Sequence, residues 1–379
     1  MTLLTRLRRL WLDVHLWIGA GLLIALIPLS VTGSLLVWHD PIDRTLYAHR
    51  YATSGPSASR PVDDYARAAQ AAFGDRARLT QVRLPQEAGD PVVAVGRIPG
   101  EPGPGGRPRT LNAWIDPPTA KVLDTAEVAR EPTMILHRVH GSLMIPEVGR
   151  KVVGWLGWAM FASCATGLWL WWPRHGGFLK GLRWNRGAST LFNLHHMVGI
   201  WVCIPLAVLS LTGVYISFPQ TSRALFGLPQ PPPRNAPGRF APPLPQTQLT
   251  LQQAVATAQA TQPDAAVAEV NVPTRGKEPT WRVGLKVAGQ ERPRIVQVVD
   301  ATGQVTAGRG DREASRGPRA RTDEISPLMR RIHDGNEMGI VWQAVIFVAG
   351  LAPALLGITG IVMWLRRRAR RRAMQHGQG

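Results

Sequence analysis

The chain has 379 residues, 45% of them hydrophobic, and a formal net charge of +19 at pH 7. This charge does not indicate nucleic-acid binding, because thirteen of the positive residues border long apolar stretches instead of forming a separate basic surface. The two cysteines, Cys164 and Cys203, lie inside apolar stretches, which excludes a disulfide framework and a paired-cysteine zinc site.

Four apolar stretches divide the chain. They cover residues 16–38, 152–172, 197–218 and 338–365, and none of them contains Asp, Glu, Lys or Arg. Each reaches the length of about 20 residues that a helix needs to cross the hydrocarbon core of a bilayer. The sequence therefore predicts four transmembrane helices. We expect the first to be retained, because no small-residue cleavage motif is evident.

The basic residues indicate how these helices are oriented. They fall before helix one, between helices two and three, and after helix four: Arg6, Arg8, Arg9; Arg174, Lys180, Arg183, Arg186; and Arg366, Arg367, Arg368, Arg370, Arg371, Arg372. The positive-inside rule assigns these three segments to the cytoplasm. Both termini are then cytoplasmic, and the two long polar segments lie outside.

The predicted organisation follows from these spans. Transmembrane helices are expected within 1–39, 132–174, 191–219 and 328–366, outer domains within 40–131 and 220–327, a cytoplasmic loop at 175–190 and a basic tail at 367–379. Each outer segment begins with an amphipathic helical pattern, at 61–73 and 249–261, and continues into three short strand-like runs. This order predicts an α+β fold for both outer domains.

The chain also contains an internal repeat. Helix one aligns with helix three at an offset of 180 residues, and helix two aligns with helix four at an offset of 193. The matched pairs are His15 and His195, Thr32-Gly33 and Thr212-Gly213, His140 and His333, Arg138 and Arg331, and Thr166-Gly167 and Thr359-Gly360. The sequence therefore predicts a duplicated unit of helix, outer domain and helix.

This layout of four helices, two outer segments and histidines at matching helix ends resembles the PepSY-associated transmembrane family. The resemblance covers nearly the whole chain and implies an α-helical membrane protein that carries two extracytoplasmic PepSY-like domains. The family is known to include bacterial inner-membrane ferric-siderophore reductases with b-type haem in the helix bundle, and the chain resembles these. By resemblance we expect a location in the bacterial inner membrane, with the large domains in the periplasm.

His15 and His195 occupy matched positions near the cytoplasmic ends of helices one and three. Two neutral imidazoles at the same depth are suited to axial ligation of a haem iron. His196 follows His195 directly and is the alternative ligand. A single histidine at this depth is more often an interfacial residue, but the repetition favours a haem site.

His140 and His333 form the second matched pair, toward the outer face. Together the two pairs predict two b-type haems. Arg138 and Arg331 stand two residues before these histidines, and their guanidinium groups suit haem propionates, although arginines at headgroup level are equally expected. His137 lies one helical turn before His140 and is the alternative ligand there.

A threonine is followed by a glycine once in each of the four apolar stretches, and Gly33, Gly213, Gly167 and Gly360 are expected to admit a neighbouring backbone or a flat macrocycle. Ordinary helix packing explains each glycine equally well.

The outer pair also requires a break in its helices. His140 precedes Thr166 by 26 residues, about 39 Å in a continuous helix. We therefore expect the segment that carries His140 to fold back, with His39 as the substitute ligand if it does not.

These features predict a di-haem transmembrane electron-transfer protein that reduces an external acceptor. The resemblance implies a ferric siderophore as that acceptor. The chain has no nicotinamide or flavin fingerprint, so the donor is expected to be separate, either a quinol or a cytoplasmic reductase. Trp114, Trp281 and the arginine-rich loops are expected to contact the substrate. The alternative is a haem-free membrane scaffold whose PepSY domains regulate a protease or another periplasmic partner.

Overall fold

The computed structural model describes residues 3–100, 102–103, 106–173, 177–184, 187, 189–230, 240–289, 293–306 and 323–376. Arg174, Arg186 and the centre of the proline-rich linker at 231–239 lie outside the described residues. The chain forms two compact units. One comprises Met1–His39, Leu136–Gln230 and Asp323–Gly379, and the other comprises Asp40–Ile135 and Pro231–Thr322.

The elements in chain order are as follows. The helices are α1 (Leu3–Leu36), α2 (His39–Leu46), α3 (Val62–Phe73), α4 (Pro132–Ser142), α5 (Gly149–Trp171), α6 (Phe178–Gly181), α7 (Thr190–Ser217), α8 (Pro219–Leu225), α9 (Leu251–Gln259), α10 (Ile325–Asp334) and α11 (Gly339–His376). The strands are β1 (Arg78–Arg83), β2 (Val92–Arg97), β3 (Thr110–Ile115), β4 (Val122–Glu127), β5 (Ala266–Asn271), β6 (Thr280–Lys286), β7 (Arg294–Val299) and β8 (Val305–Thr306).

The first unit is a four-helix bundle of the kind found in membranes. Within the described residues, four helices are long and apolar enough to cross a bilayer: Thr5–Leu36, Gly149–Trp171, Thr190–Ser217 and Gly339–Gln375. They form a closed ring in which α1 and α7 each contact both α5 and α11. The four predicted apolar stretches are therefore helical, and the chain is a membrane-type protein.

Small residues bring α5 and α7 close together. A Cβ atom added at Gly154 would lie 2.4 Å from the Phe218 ring, and one at Gly157 would lie 2.9 Å from a Val214 methyl group. Helices in a bilayer gain little from apolar burial against each other, so such close backbone approach contributes much of their packing energy.

The predicted break before α5 is confirmed. Helix α4 ends at Ser142, and Leu143, Met144 and Glu147 adopt left-handed backbone conformations with φ of 51°, 59° and 56°. The segment 132–174 therefore contains two helices, of which only α5 has the length and composition of a span.

A similar break separates α10 from α11. Gly335 caps α10 in the left-handed region with φ of 79°, and Glu337 follows with φ of 62°. The two helices that carry the outer histidines, α4 and α10, are consequently short, and each precedes a long helix.

The second unit is built on one antiparallel sheet with the strand order β4-β3-β2-β1-β5-β6-β7-β8. The sequence predicted two separate outer domains, but the structure joins the two sets of four strands through the antiparallel pairing of β1 with β5. Helices α3 and α9 contact the sheet and contribute to one buried apolar core, in which Tyr65, Phe73 and Trp281 are fully enclosed. Strands β4 and β8 each add a fourth strand after the three predicted runs and were not foreseen from the sequence.

The expected exposure of two tryptophans is wrong. Trp114 is 7% exposed and Trp281 only 1%. The indole of Trp281 donates a 2.8 Å hydrogen bond to Asp300, while the Arg50 guanidinium covers the ring of Trp114 at 3.8 Å from its centroid. Both aromatic rings therefore stabilise the second unit and are not available for substrate contact.

Asp300→Ala tests this core. The buried carboxylate accepts hydrogen bonds from the Gln248 and Leu249 backbones and from Trp281, so its removal leaves three donors without a partner. At about 1 kcal/mol for each bond, we expect a loss of roughly 3 kcal/mol of unfolding free energy and a lower apparent melting temperature in detergent. Asp264→Ala, at an exposed carboxylate, is the matched control. Equal melting temperatures for the two variants would contradict a structural role for Asp300.

Candidate functional site

The inner pair of histidines meets inside the bundle. His15 lies on α1 and His195 on α7, and their ring centroids are 6.4 Å apart with an angle of 89° between the ring planes. Because α1 and α7 each contact α5 and α11 on either side, the two rings lie within the four-helix ring.

Each of these rings is held by a threonine of the neighbouring helix. The Nδ1 atom of His15 lies 2.9 Å from the Thr166 hydroxyl, and that of His195 lies 2.9 Å from the Thr359 hydroxyl. Both hydroxyls donate their single hydrogen to the carbonyl four residues earlier in their own helix. In that arrangement each hydroxyl oxygen accepts from Nδ1, and the tautomer protonated at Nδ1 leaves the Nε2 lone pair available.

The outer pair has a related arrangement. His140 on α4 and His333 on α10 have ring centroids 6.1 Å apart and an interplanar angle of 39°. The Nδ1 atom of His333 lies 3.0 Å from the Thr212 hydroxyl, which donates to its own helix in the same way. The Nδ1 atom of His140 lies 3.0 Å from the backbone carbonyl of Leu29. A carbonyl can only accept, so Nε2 is again left with a free lone pair.

These contacts place the outer pair at the depth of the spans. Leu29 and Thr212 lie inside α1 and α7, several residues before either helix ends. Leu29 and Gly33 are the residues of α1 that contact the His140 ring. They lie 14 and 18 residues after His15, which corresponds to a distance of about 21 to 27 Å between the inner and outer sites along the axis of α1. Because α4 folds back, His140 does not lie about 39 Å beyond Thr166, as it would in a continuous helix.

Glycines make room for all four imidazoles. A Cβ atom at Gly33 would lie 2.5 Å from Cε1 of His140, whereas one at Gly213 would lie 3.1 Å from Cε1 of His333. The corresponding distances are 3.2 Å from Gly167 to His15 and 3.6 Å from Gly360 to His195. The sequence suggested that these glycines admit a backbone or a macrocycle, but the atoms nearest to them are histidine rings.

The outer imidazoles are neutral at pH 7. His140 and His333 lie on α4 and α10, outside the four spanning helices. Burial, reinforced by the neighbouring His333 ring, lowers the pKa of His140 to about 4, and burial likewise lowers the pKa of His333 to about 4. A neutral imidazole is the form that binds a metal.

Both pairs fit the axial ligation of a haem. With metal–imidazole bonds of about 2 Å each, two rings on opposite sides of one metal ion would have centroids roughly 6 Å apart, close to both observed separations. Among the described residues, no three His, Cys, Asp or Glu side chains converge on a common metal position. A haem needs only two protein ligands, because its macrocycle supplies the remaining four.

His196 does not face His15. Its ring stacks on Trp171 with centroids 6.1 Å apart and on Phe192 with centroids 5.7 Å apart. The ring that pairs with His15 is that of His195, so His196 has an aromatic stacking role in this structure.

The other histidine alternatives have different surroundings. His140, not His137, pairs with His333. The Nδ1 atom of His39 lies 3.0 Å from the Leu36 carbonyl at the end of α1.

The two arginines beside the outer pair remain predicted propionate partners. The Nε atom of Arg331 lies 3.2 Å from the Glu337 carboxylate, so this side chain already has an acidic neighbour. Arg138 contributes its backbone carbonyl to the turn after α4, where it accepts from the Ser142 hydroxyl at 2.8 Å.

Sequence reasoning missed what holds the histidines. It treated Thr166, Thr359 and Thr212 as parts of packing motifs, and it did not identify Leu29. The available signal was the constant order in which a threonine directly precedes each glycine, since a hydroxyl beside a cleared space can accept from an imidazole. The carbonyl of Leu29 has no sequence signature at all.

One family model matches almost the entire chain. The model is described as the PepSY-associated TM region and covers residues 12–367, which include all four paired histidines. No curated protein matches the chain closely enough to indicate a relationship.

Gly33→Ala tests the glycine clearance. The added methyl group would overlap the His140 ring at 2.5 Å, so we expect displacement of the ring and a lower melting temperature in detergent. Gly360→Ala is the control, because its methyl group would meet His195 at an ordinary 3.6 Å, and alanine favours a helix over glycine by about 1 kcal/mol. If Gly33→Ala is as stable as Gly360→Ala, the close approach of His140 is wrong.

Proposed function

The chain belongs to the PepSY-associated TM region family, and we propose that it is a di-haem transmembrane electron-transfer protein. The observation that carries this proposal is the presence of two imidazole pairs in one bundle, in which every Nδ1 atom lies within hydrogen-bond distance of an oxygen on a neighbouring helix. A b-type haem held by each pair would supply a one-electron carrier. The ligands would be His15 and His195 at the inner site and His140 and His333 at the outer site.

The protein's own contribution is to orient these ligands. Each Nδ1 hydrogen bond fixes the tautomer and the rotation of its ring, which is how a surrounding shell prepares a metal ligand. The apolar helices around the rings exclude water and lower the local dielectric constant, and both effects influence a redox potential. The two sites use four different helices, so ligation would also hold α1 to α7 at the inner site and α4 to α10 at the outer site.

The basic segments support an orientation of the bundle in the membrane. The arginines beside the inner end of the bundle favour a cytoplasmic location for that end by the positive-inside rule, which supports an inner-membrane protein with both termini inside. The segments that form the sheet unit would then be periplasmic. We propose that electrons enter at the inner site from a quinol or a cytoplasmic reductase and leave from the outer site.

A ferric siderophore is the proposed acceptor. Transfer of one electron reduces the bound iron(III) to iron(II), which binds hard oxygen ligands more weakly and is released from the chelate. A haem-free scaffold that presents PepSY domains would account for the sheet unit but would give the paired histidines no role.

The haem proposal predicts a selective response to mutation. Purified protein should contain two low-spin b-type haems per chain. His15→Ala should remove only the inner haem, and His333→Ala only the outer one, because each deletes one axial ligand.

The ring planes of the two pairs predict different spectra for the two haems. Ligand planes at 89° keep the iron orbitals closer in energy than planes at 39°, so the inner ferric haem should give the more anisotropic paramagnetic resonance signal. Haem extraction and resonance spectra of the variants provide the measurement.

His196→Ala is the matched control for the inner site. It alters the neighbouring histidine but leaves both rings of the pair, so two haems should be retained. Protein that contains no haem after expression with haem precursors would support the scaffold instead.

The acceptor proposal predicts iron release. Dithionite-reduced protein mixed anaerobically with a ferric siderophore should reoxidise, and an iron(II) chelator should develop colour in proportion to the oxidised haem. His333→Ala should slow the reaction strongly while the inner haem remains reducible, whereas His137→Ala should retain the outer haem.

A gallium(III) siderophore provides the redox control, because gallium(III) has the charge and oxygen preference of iron(III) but cannot accept the electron. It should cause no reoxidation. Fully haem-loaded, reduced protein that ignores ferric hydroxamates, catecholates and citrate would disprove the siderophore assignment but leave electron transfer intact.

A further inference from the structure

We propose that Thr166, Thr359 and Thr212 are positioning residues that set the electron-donating strength of three of the four histidine ligands, and that Thr32 has no such role. This inference rests on the proposed haem sites. It assigns different duties to four threonines that form two matched pairs in the predicted repeat, Thr32 with Thr212 and Thr166 with Thr359.

The four threonines share their burial and their local hydrogen bonding. Their exposed fractions are 5% for Thr166, 4% for Thr359, 4% for Thr212 and 7% for Thr32. Each hydroxyl donates to the carbonyl four residues earlier, at 2.9 Å for the first three and 2.5 Å for Thr32. Helix packing alone would therefore make these residues interchangeable.

They differ in what approaches the oxygen. A histidine Nδ1 atom lies 2.9 Å from Thr166, 2.9 Å from Thr359 and 3.0 Å from Thr212. At the fourth place, Nδ1 of His140 lies 3.0 Å from the Leu29 carbonyl, one turn before Gly33. Three ligands therefore depend on a side chain that mutation can remove, and the fourth depends on a backbone atom.

The chemistry of the bond gives the direction of its effect. An imidazole that donates through Nδ1 has a more basic Nε2 and is a stronger electron donor to a metal. A threonine hydroxyl that itself donates to a carbonyl is polarised, which strengthens its acceptance from the imidazole. A stronger donor stabilises ferric iron more than ferrous iron, so these bonds should hold the midpoint potential down.

Valine substitution separates this role from packing. Valine has nearly the shape of threonine but no acceptor, so the Nδ1 proton would face an apolar surface. We expect Thr166→Val and Thr359→Val to shift the midpoint potential of the inner haem to more positive values and to leave the outer haem unchanged. Thr212→Val should shift only the outer haem, and Thr32→Val should shift neither.

The experiment is a spectroscopic redox titration of full-length protein in detergent, with the haem content of each variant measured in parallel. Serine at position 166 or 212 keeps the hydroxyl, so Thr166→Ser and Thr212→Ser should restore the wild-type potentials. A valine variant that loses haem while its serine counterpart retains haem at the normal potential would also support the role of the hydroxyl.

Three results would overturn the inference. These are unchanged potentials in the haem-loaded valine variants, an equal shift in Thr32→Val, or loss of haem in both the valine and serine variants at one position. Wild-type protein without haem would contradict the proposed function itself and is distinguishable from all three.

Discussion

The hydrogen bond between the Nδ1 atom of each paired histidine and a neighbouring helix is the interaction on which the bundle depends. It joins α1 to α5, α7 to α11, α4 to α1 and α10 to α7. An imidazole N–H in an apolar environment is strongly destabilising without an acceptor, so each bond fixes its ring in one position. Three of the four positions also favour a glycine, because a Cβ atom at Gly33, Gly213 or Gly167 would crowd the histidine ring.

The same requirement explains the broken helices. Leu143, Met144 and Glu147 adopt left-handed conformations that cost about 1 to 3 kcal/mol each in residues other than glycine. The turn that contains them returns α4 to the bundle, where His140 reaches the Leu29 carbonyl. Further contacts hold α10, since Trp342 donates to the Ile332 carbonyl at 2.9 Å and Tyr215 bonds Ser326 at 2.7 Å. Backbone strain in these turns is therefore offset by contacts that place two histidines inside the bundle.

Much of this arrangement could be predicted from the sequence, and the remainder depends on contacts that a sequence does not encode locally. Apolar length predicted the four long helices, and the matched offsets predicted that His15 would pair with His195 and His140 with His333. The choice of His195 over His196 could not be made, because adjacent helical residues differ by about 100° in direction and only the packed partners decide which one faces inward. The junction of β1 with β5 was also missed, since the alternation within each strand carries no information about which edge another segment will cover.

The β1–β5 junction affects how the protein is made. Strand β5 begins 183 residues after β1 ends, and α5 and α7 are synthesised between them. Until β5 emerges, the first four strands form a half-sheet whose β1 edge exposes unpaired N–H and C=O groups, and such an edge can pair with other chains and aggregate. Completion of the sheet therefore waits for the synthesis of two long apolar helices, α5 and α7. A nascent chain arrested between α7 and β5 would possess its inner histidine pair but only half of its sheet.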